Sequence, residues 1–152
     1  MPRPAPQRLD PAHYPHHDLV QTRFQDLDIL GHINNVAMAA LFESARVRFN
    51  HAIGLLRPSG HRFLVARVEI NYLAEGGFPD DVAAYHGIGR IGTRSWDIVA
   101  MLAQNGAPIA TADVTLVISA AAGATELPAE VRTVLEKWRV AQPIEPPRAD
   151  GG

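Results

Sequence analysis

Five side chains able to move protons or hold an oxyanion fall within one short run: Asp26, Asp28, His32, Asn34 and Asn35, in QDLDILGHINN (25–35). The run is dense in Asp, Gly and Asn, residues that make turns and cap helices, and Asn34 or Asn35 is placed to accept a backbone N–H as the N-cap. VAMAALFESARVRFNHAIG (36–54) follows directly, with strong helix formers and no proline. A helix N-terminus leaves N–H groups unpaired and carries partial positive charge, so it favours negative charge that develops beside it. A carboxylate there can attack a carbonyl carbon or draw a proton from water while the helix end polarises the carbonyl oxygen. The same residues admit a plainer reading, in which Asp26 and Asp28 shape the turn, Asn35 caps the helix and His32 fills a surface gap. Spacing alone leaves both open.

The elements that must position these residues are legible in outline. LVQTRF (19–24) alternates as a short strand, and Ala39, Phe42, Ala45, Phe49 and Ala52 recur at helical spacing up to the natural stop at Gly54. FLVARVEINYLAE (63–75), VAAYHGIGRI (82–91), SWDIVAMLAQ (95–104) and PIATADVTLVIS (108–119) read as strands, with a turn cluster at GGFPDD (76–81) and a turn pair at Asn105–Gly106. Short connections between strands imply antiparallel neighbours. Pro128 opens a short helix that runs to Trp138. One helix on one sheet leaves much of the sheet bare, so a second subunit is expected to cover it. Prolines cluster at both ends: residues 1–17 read as a disordered or extended tail, 18–140 as a single domain and 141–152 as a second tail.

Composition narrows the chemistry. The chain has 152 residues and no cysteine, which removes disulfides, thiolate nucleophiles and Cys-based metal sites. Its 14 basic and 16 acidic residues give a net charge of −2, so nucleic acid is not an expected partner. No apolar stretch suits a membrane span or a secretory leader, and the expected location is cytoplasmic. Ser44, Ser59, Ser95 and Ser119 lie in no Gly-x-Ser-x-Gly elbow. GIGRIG (87–92) has the letters of a dinucleotide motif, but a strand follows it where a helix is required, so a bulge or relaxed hairpin is the better reading. Asp10, His13, His16 and His17 could ligate a metal, yet no helix or sheet frame is expected there to fix their geometry.

RFQDLDILGHINNVAMAALFESARVRF (23–49) resembles the signature of hotdog-fold acyl-CoA thioesterases of the 4-hydroxybenzoyl-CoA thioesterase type, in which an Asp, a Gly-His-x-Asn-Asn turn and a long helix with Glu and Arg recur. VEINYLAEGGFPDDV and RIGTRSWDIVAML resemble the family's second strand, turn and fourth strand, extending the similarity over about residues 18–120. The resemblance implies an α+β hotdog fold, a curved five-stranded antiparallel sheet wrapped around the helix, in a homodimer or homotetramer with active sites at subunit interfaces. It implies hydrolysis of an acyl-CoA or acyl-carrier thioester to acid and thiol, without a metal or redox cofactor, because water is the second reactant.

Residue by residue, Asp28 matches the family's catalytic acid and Asp26 the position that more often shapes the loop. His32 and Asn35 match the turn in which plant acyl-carrier thioesterases have a His and an Asn implicated in catalysis, although Leu30 and Gly31 replace the intervening residues. Glu43 matches a recurrent helix carboxylate that could orient water or His32; pairing with Arg46 is its alternative. The thioester carbonyl is expected to meet backbone N–H groups near Gly31–Asn35. Met38 stands where relatives commonly have an aromatic residue and would soften an acyl pocket. Thr93, Arg94 and Ser95 are expected to contact pantetheine or phosphate, with an exposed turn as the alternative. Where relatives often have proline after the second-strand Tyr, this chain reads Tyr72-Leu73-Ala74-Glu75. A hotdog hydratase or dehydratase acting on acyl thioesters and a non-catalytic acyl-thioester-binding protein are the alternative functions.

Overall fold

The long helix starts where the Asn34 side chain accepts the Ala37 N–H at 2.8 Å and stops before Gly54, whose φ of +71° suits glycine. In this computed structural model, which describes residues 3–141, that helix is α1 (Asn35–Ala52). Around it run β1 (His16–Val20), β2 (His61–Tyr72), β3 (Val82–Ile91), β4 (Ser95–Gln104), β5 (Ala107–Ala120) and the short β6 (Gly123–Ala124), followed by α2 (Ala129–Lys137). The strands form one antiparallel sheet in the order β1-β3-β4-β5-β2, with β6 added to β5. The sheet curls around α1 in the hotdog arrangement, with β6 as its small addition.

Alanines on the concave face of the sheet, Ala84, Ala100, Ala110 and Ala112, let the first half of α1 pack closely through Ala37, Met38, Leu41, Phe42 and Ala45. Larger side chains, Ile88, Trp96, Ile98 and Leu116, meet Phe49 and Ile53 near the other end, where α2 adds Val131 and Leu135. The buried stripe is therefore rotated from the expected one, since Ala52 is exposed and Ala39 only half-buried. Asn105 and Gly106, both with positive φ, turn β4 into β5.

Three expectations change. The first strand is His16–Val20 rather than 19–24, because β3 offers pairing from Val82 to His86 and the chain then turns at Phe24–Asp26. The short 76–81 connection does not join sheet neighbours: β2 pairs with β5 and β3 with β1, so it crosses between strands apart in the sheet. Gln104 fixes that crossing by accepting from the Gly77 N–H and donating to the Gly77 and Asp80 carbonyls. The N-terminal segment is no loose tail. Its described part makes helical turns at Pro6–Leu9 and Pro11–His13 and lies on the convex face, where Tyr14 packs against Val99 and Met101. The described Ala141 is likewise tied down, its N–H donating to the His13 carbonyl, whereas the proline-rich stretch from 142 onward lies outside the described residues.

Arg8 anchors this segment by donating to the Ala100 and Ala112 carbonyls and pairing with Asp113 at 2.7 Å. Removing a mostly buried, charge-assisted donor strands its acceptors, so Arg8→Ala is expected to cost about 1–3 kcal/mol, read as a lower urea midpoint. The glycine-rich run belongs to β3, whose register slips between Ile88 and Ile91. Gly87 has no room for a side chain, since a Cβ there would lie 2.5 Å from Val140 and 2.7 Å from Pro15.

Candidate active site

Two aspartates in near succession have different surroundings. Asp26 is 2% exposed, and its carboxylate accepts the Arg23 backbone N–H at 2.9 Å and the Arg23 guanidinium at 2.9 Å, which fixes the chain as it leaves β1. Asp28 is exposed. Its Oδ1 accepts the N–H groups of Leu30 at 2.9 Å and His32 at 3.1 Å, closing the turn, while Oδ2 has no hydrogen-bond partner among the described residues. Gly31, with φ of +80°, makes the reversal possible.

Backbone donors around the turn are mostly committed. Gly31 donates to the Asp28 carbonyl, His32 to Asp28 Oδ1, Ile33 to the Gly76 carbonyl and Asn34 to the Asp26 carbonyl. Asn34 caps Ala37, so the N–H groups of Asn35 and Val36, the first two of α1, are left without an acceptor among the described residues, as is that of Ile29 at the tip of the turn. Within the Gly31–Asn35 stretch expected to meet the thioester carbonyl, the N–H groups of Gly31, His32, Ile33 and Asn34 are thus engaged and that of Asn35 is not, among the described residues. Asp28, Asn34, Asn35 and Val36, with Arg23 on the rim, line one open hollow of about 640 Å³. A free carboxylate oxygen and two unpaired N–H groups at a positive helix end are thus gathered in one place, the minimum needed to activate water and hold an oxyanion.

The other sequence candidates lie elsewhere. His32 does not line the hollow; its Nε2 pairs with Glu75 on the β2–β3 connection at 3.0 Å. Met38 is buried between α1 and the sheet. Glu43 lines a separate hollow on the outward face of α1 with Ser44 and Val47, about 12 Å along the axis from Asn35 at 1.5 Å per residue. Among the described residues it forms no ion pair with Arg46, whose guanidinium pKa is lowered by burial. Thr93 and Arg94 form the exposed β3–β4 turn, and the Ser95 hydroxyl accepts from Arg90. That turn is at the far end of β3 from Val82, roughly 30 Å away along the strand, so it does not meet Asp28 within one chain.

Two neighbours of the site escaped sequence reasoning. Glu75 reaches His32, and the Tyr72 hydroxyl donates to the Asn35 carbonyl at 3.3 Å. Both come from the end of β2 and the connection after it, the segment where the Tyr72–Glu75 run departs from the family pattern; that departure was the available signal. Among the described residues, no three His, Asp or Glu side chains gather in a metal-holding arrangement.

The family model of the thioesterase-like superfamily matches residues 22–138, spanning the Asp28 turn, α1 and the whole sheet after β1. The chain belongs to the thioesterase-like superfamily. Among solved structures, a protein of Pseudomonas aeruginosa strain PAO1 is 25% identical, with a TM-score of 0.77 over 86% of this chain and 96% of its own. A thioesterase from Thermus thermophilus, solved with coenzyme A and zinc, is 30% identical, with a TM-score of 0.72 over 82% of this chain and 95% of its own. A predicted thioesterase from Bacillus stearothermophilus is 29% identical, with a TM-score of 0.73 over 84% of this chain and 97% of its own. No curated protein matches the chain. Thioester hydrolysis is the activity that the superfamily and these neighbours support for this thioesterase-like chain.

Proposed function

We propose that the protein hydrolyses an acyl-CoA thioester at the Asp28 hollow. One observation carries this reading: Asp28, whose Oδ2 has no partner among the described residues, lines the same hollow as Asn35 and Val36, whose N–H groups likewise have none there. The thioester carbonyl oxygen accepts from those two N–H groups, which hold its negative charge as the tetrahedral intermediate forms. Asp28 Oδ2 takes a proton from water as the water oxygen attacks, or itself attacks to give an anhydride that water then opens. Either route breaks the carbon–sulfur bond and yields one acid and one thiol. The coenzyme A bound by the Thermus thermophilus thioesterase favours CoA as the thiol half. Release of free thiol from a panel of aromatic, short and long acyl-CoAs tests the proposal; water addition to a crotonyl thioester, or tight binding without turnover, would indicate one of the alternative functions.

The working unit is proposed to be a homo-oligomer. β2 ends the sheet with one edge unpaired among the described residues, and Leu64, Val65 and Val68 along it are about half exposed, Val68 at 52%. A long apolar edge of this kind calls for another strand or subunit. Val36 and Val47 on α1 and Ile29 and Leu30 beside Asp28 add apolar surface. A second copy would also supply groups that one chain holds far from Asp28, including Arg94. Light scattering should give a multiple of the 16.5 kDa chain mass, and Val68→Arg should reduce it to a single chain. No described helix is long and apolar enough to cross a membrane; a cytoplasmic location belongs to the same proposal.

A further inference from the structure

The Asp28 turn has little to hold it in place. Ile29 and Leu30 point their side chains into solvent, and a Cβ added to Gly31 would touch nothing within 4 Å. Its hydrogen bonds from Asp28 to His32 are internal: the Asp28 N–H donates to the His32 carbonyl at 2.8 Å, and the His32 N–H returns to Asp28 Oδ1 at 3.1 Å. The base of the turn is the Leu27–Ile33 bridge, with the Ile33 N–H on the Gly76 carbonyl at 2.9 Å. From Asp28 to His32, one side chain ties the turn to another part of the molecule among the described residues: His32, through the 3.0 Å contact of its Nε2 with Glu75.

Glu75 precedes Gly76, and Gly76 sits so close to Ile33 that a Cβ would meet the Ile33 side chain at 2.8 Å. The connection bearing Glu75 is itself braced by Gln104. It can therefore serve as the fixed wall against which the turn is held.

We propose that Glu75 is a positioning residue for Asp28, acting through His32. By accepting from Nε2 it draws the imidazole away from the hollow and pins the His32 backbone. The His32 N–H then stays on Oδ1, leaving Oδ2 as the oxygen presented to the thioester and water. The inference rests on the proposed reaction at Asp28 and adds to it the element that aims the carboxylate.

The pair is exposed, so it contributes little to global stability. Its effect should appear in orientation, where small displacements of a reacting group are costly. Glu75→Ala is expected to lower kcat about tenfold, with KM changed less than about twofold and the melting temperature nearly unchanged. Glu75→Gln, whose amide oxygen can still accept from Nε2, should recover most of the loss. The Glu75→Ala, His32→Ala double variant should be no slower than His32→Ala alone, because one residue acts through the other. A readout independent of turnover is amide exchange at Leu30 and His32 by NMR, expected to quicken in Glu75→Ala and to remain near the parent rate in Glu75→Gln.

Unchanged amide exchange in Glu75→Ala, multiplicative losses in the double variant, or failure of Gln to rescue would each overturn the positioning role. If the parent cleaves no thioester while exchange responds as described, the assigned reaction fails and the clamp stands. If the parent cleaves thioesters while Glu75→Ala matches it in kcat and exchange, the clamp fails and the reaction stands.

Discussion

Lowering the pH from 6.5 to 4.5 should destabilise the protein steeply, and His86→Phe should remove most of that slope. His86 is 1% exposed, stacks on Phe49 with ring centroids 5.3 Å apart, and has no partner for Nε2 among the described residues. Burial, and secondarily the positive fields of His16 and Arg46, push its pKa down to about 3 from 6.5, with Asp18 opposing. The folded ring therefore stays neutral where the unfolded one takes a proton. A base depressed in this way leaves stability intact above the unfolded pKa; it is lost progressively as pH falls from about 6.5 toward 3. The slope for one proton is about 1.4 kcal/mol per pH unit. Burial also lowers the pKa values of His13 and His16, adding a smaller loss of the same sign. Urea midpoints at fixed protein concentration measure the effect. A His86→Phe slope equal to the parent's would show that the acid loss comes from elsewhere.

What sequence could and could not reveal follows from the range of the contacts involved. α1 is legible because its signals are local: an Asn cap, apolar residues at three- and four-residue spacing, and Gly54 at the stop. β3, β4 and β5 are legible because alternation and the Asn105–Gly106 turn mark them independently of the rest. The convex cover is not legible, because Arg8 finds its acceptors 92 and 104 residues away while the local prolines suggest a tail. β1 is misplaced for a similar reason, since partners on β3 select His16–Val20 over the better local alternation just beyond. In the site, Asp28 and Asn35 come together because a short turn and a helix start hold them. Glu75 and Tyr72 arrive from β2 and its following connection, which local spacing cannot connect to the turn. Resemblance supplied the emphasis on Asp28; the distribution of hydrogen bonds distinguishes its free oxygen from the fully engaged carboxylate of Asp26.

The second large effect is expected at Asp28 itself. Asp28→Asn retains an oxygen that can accept from the Leu30 and His32 N–H groups, so the turn should survive. What it loses is the second carboxylate oxygen, replaced by an amide NH₂ that neither takes a proton from water nor attacks a carbonyl carbon. Asp26→Asn would instead weaken the pairing of the buried Asp26 carboxylate with the exposed Arg23 and should act mainly on folding. The decisive measurement is thiol release from the best acyl-CoA substrate by the parent and by Asp28→Asn, with melting curves taken on the same samples. Turnover at least about 10²-fold lower in Asp28→Asn, at a melting temperature close to the parent's, is the predicted result. A variant as fast as the parent would contradict thioester cleavage by Asp28 and move the chemistry to another site.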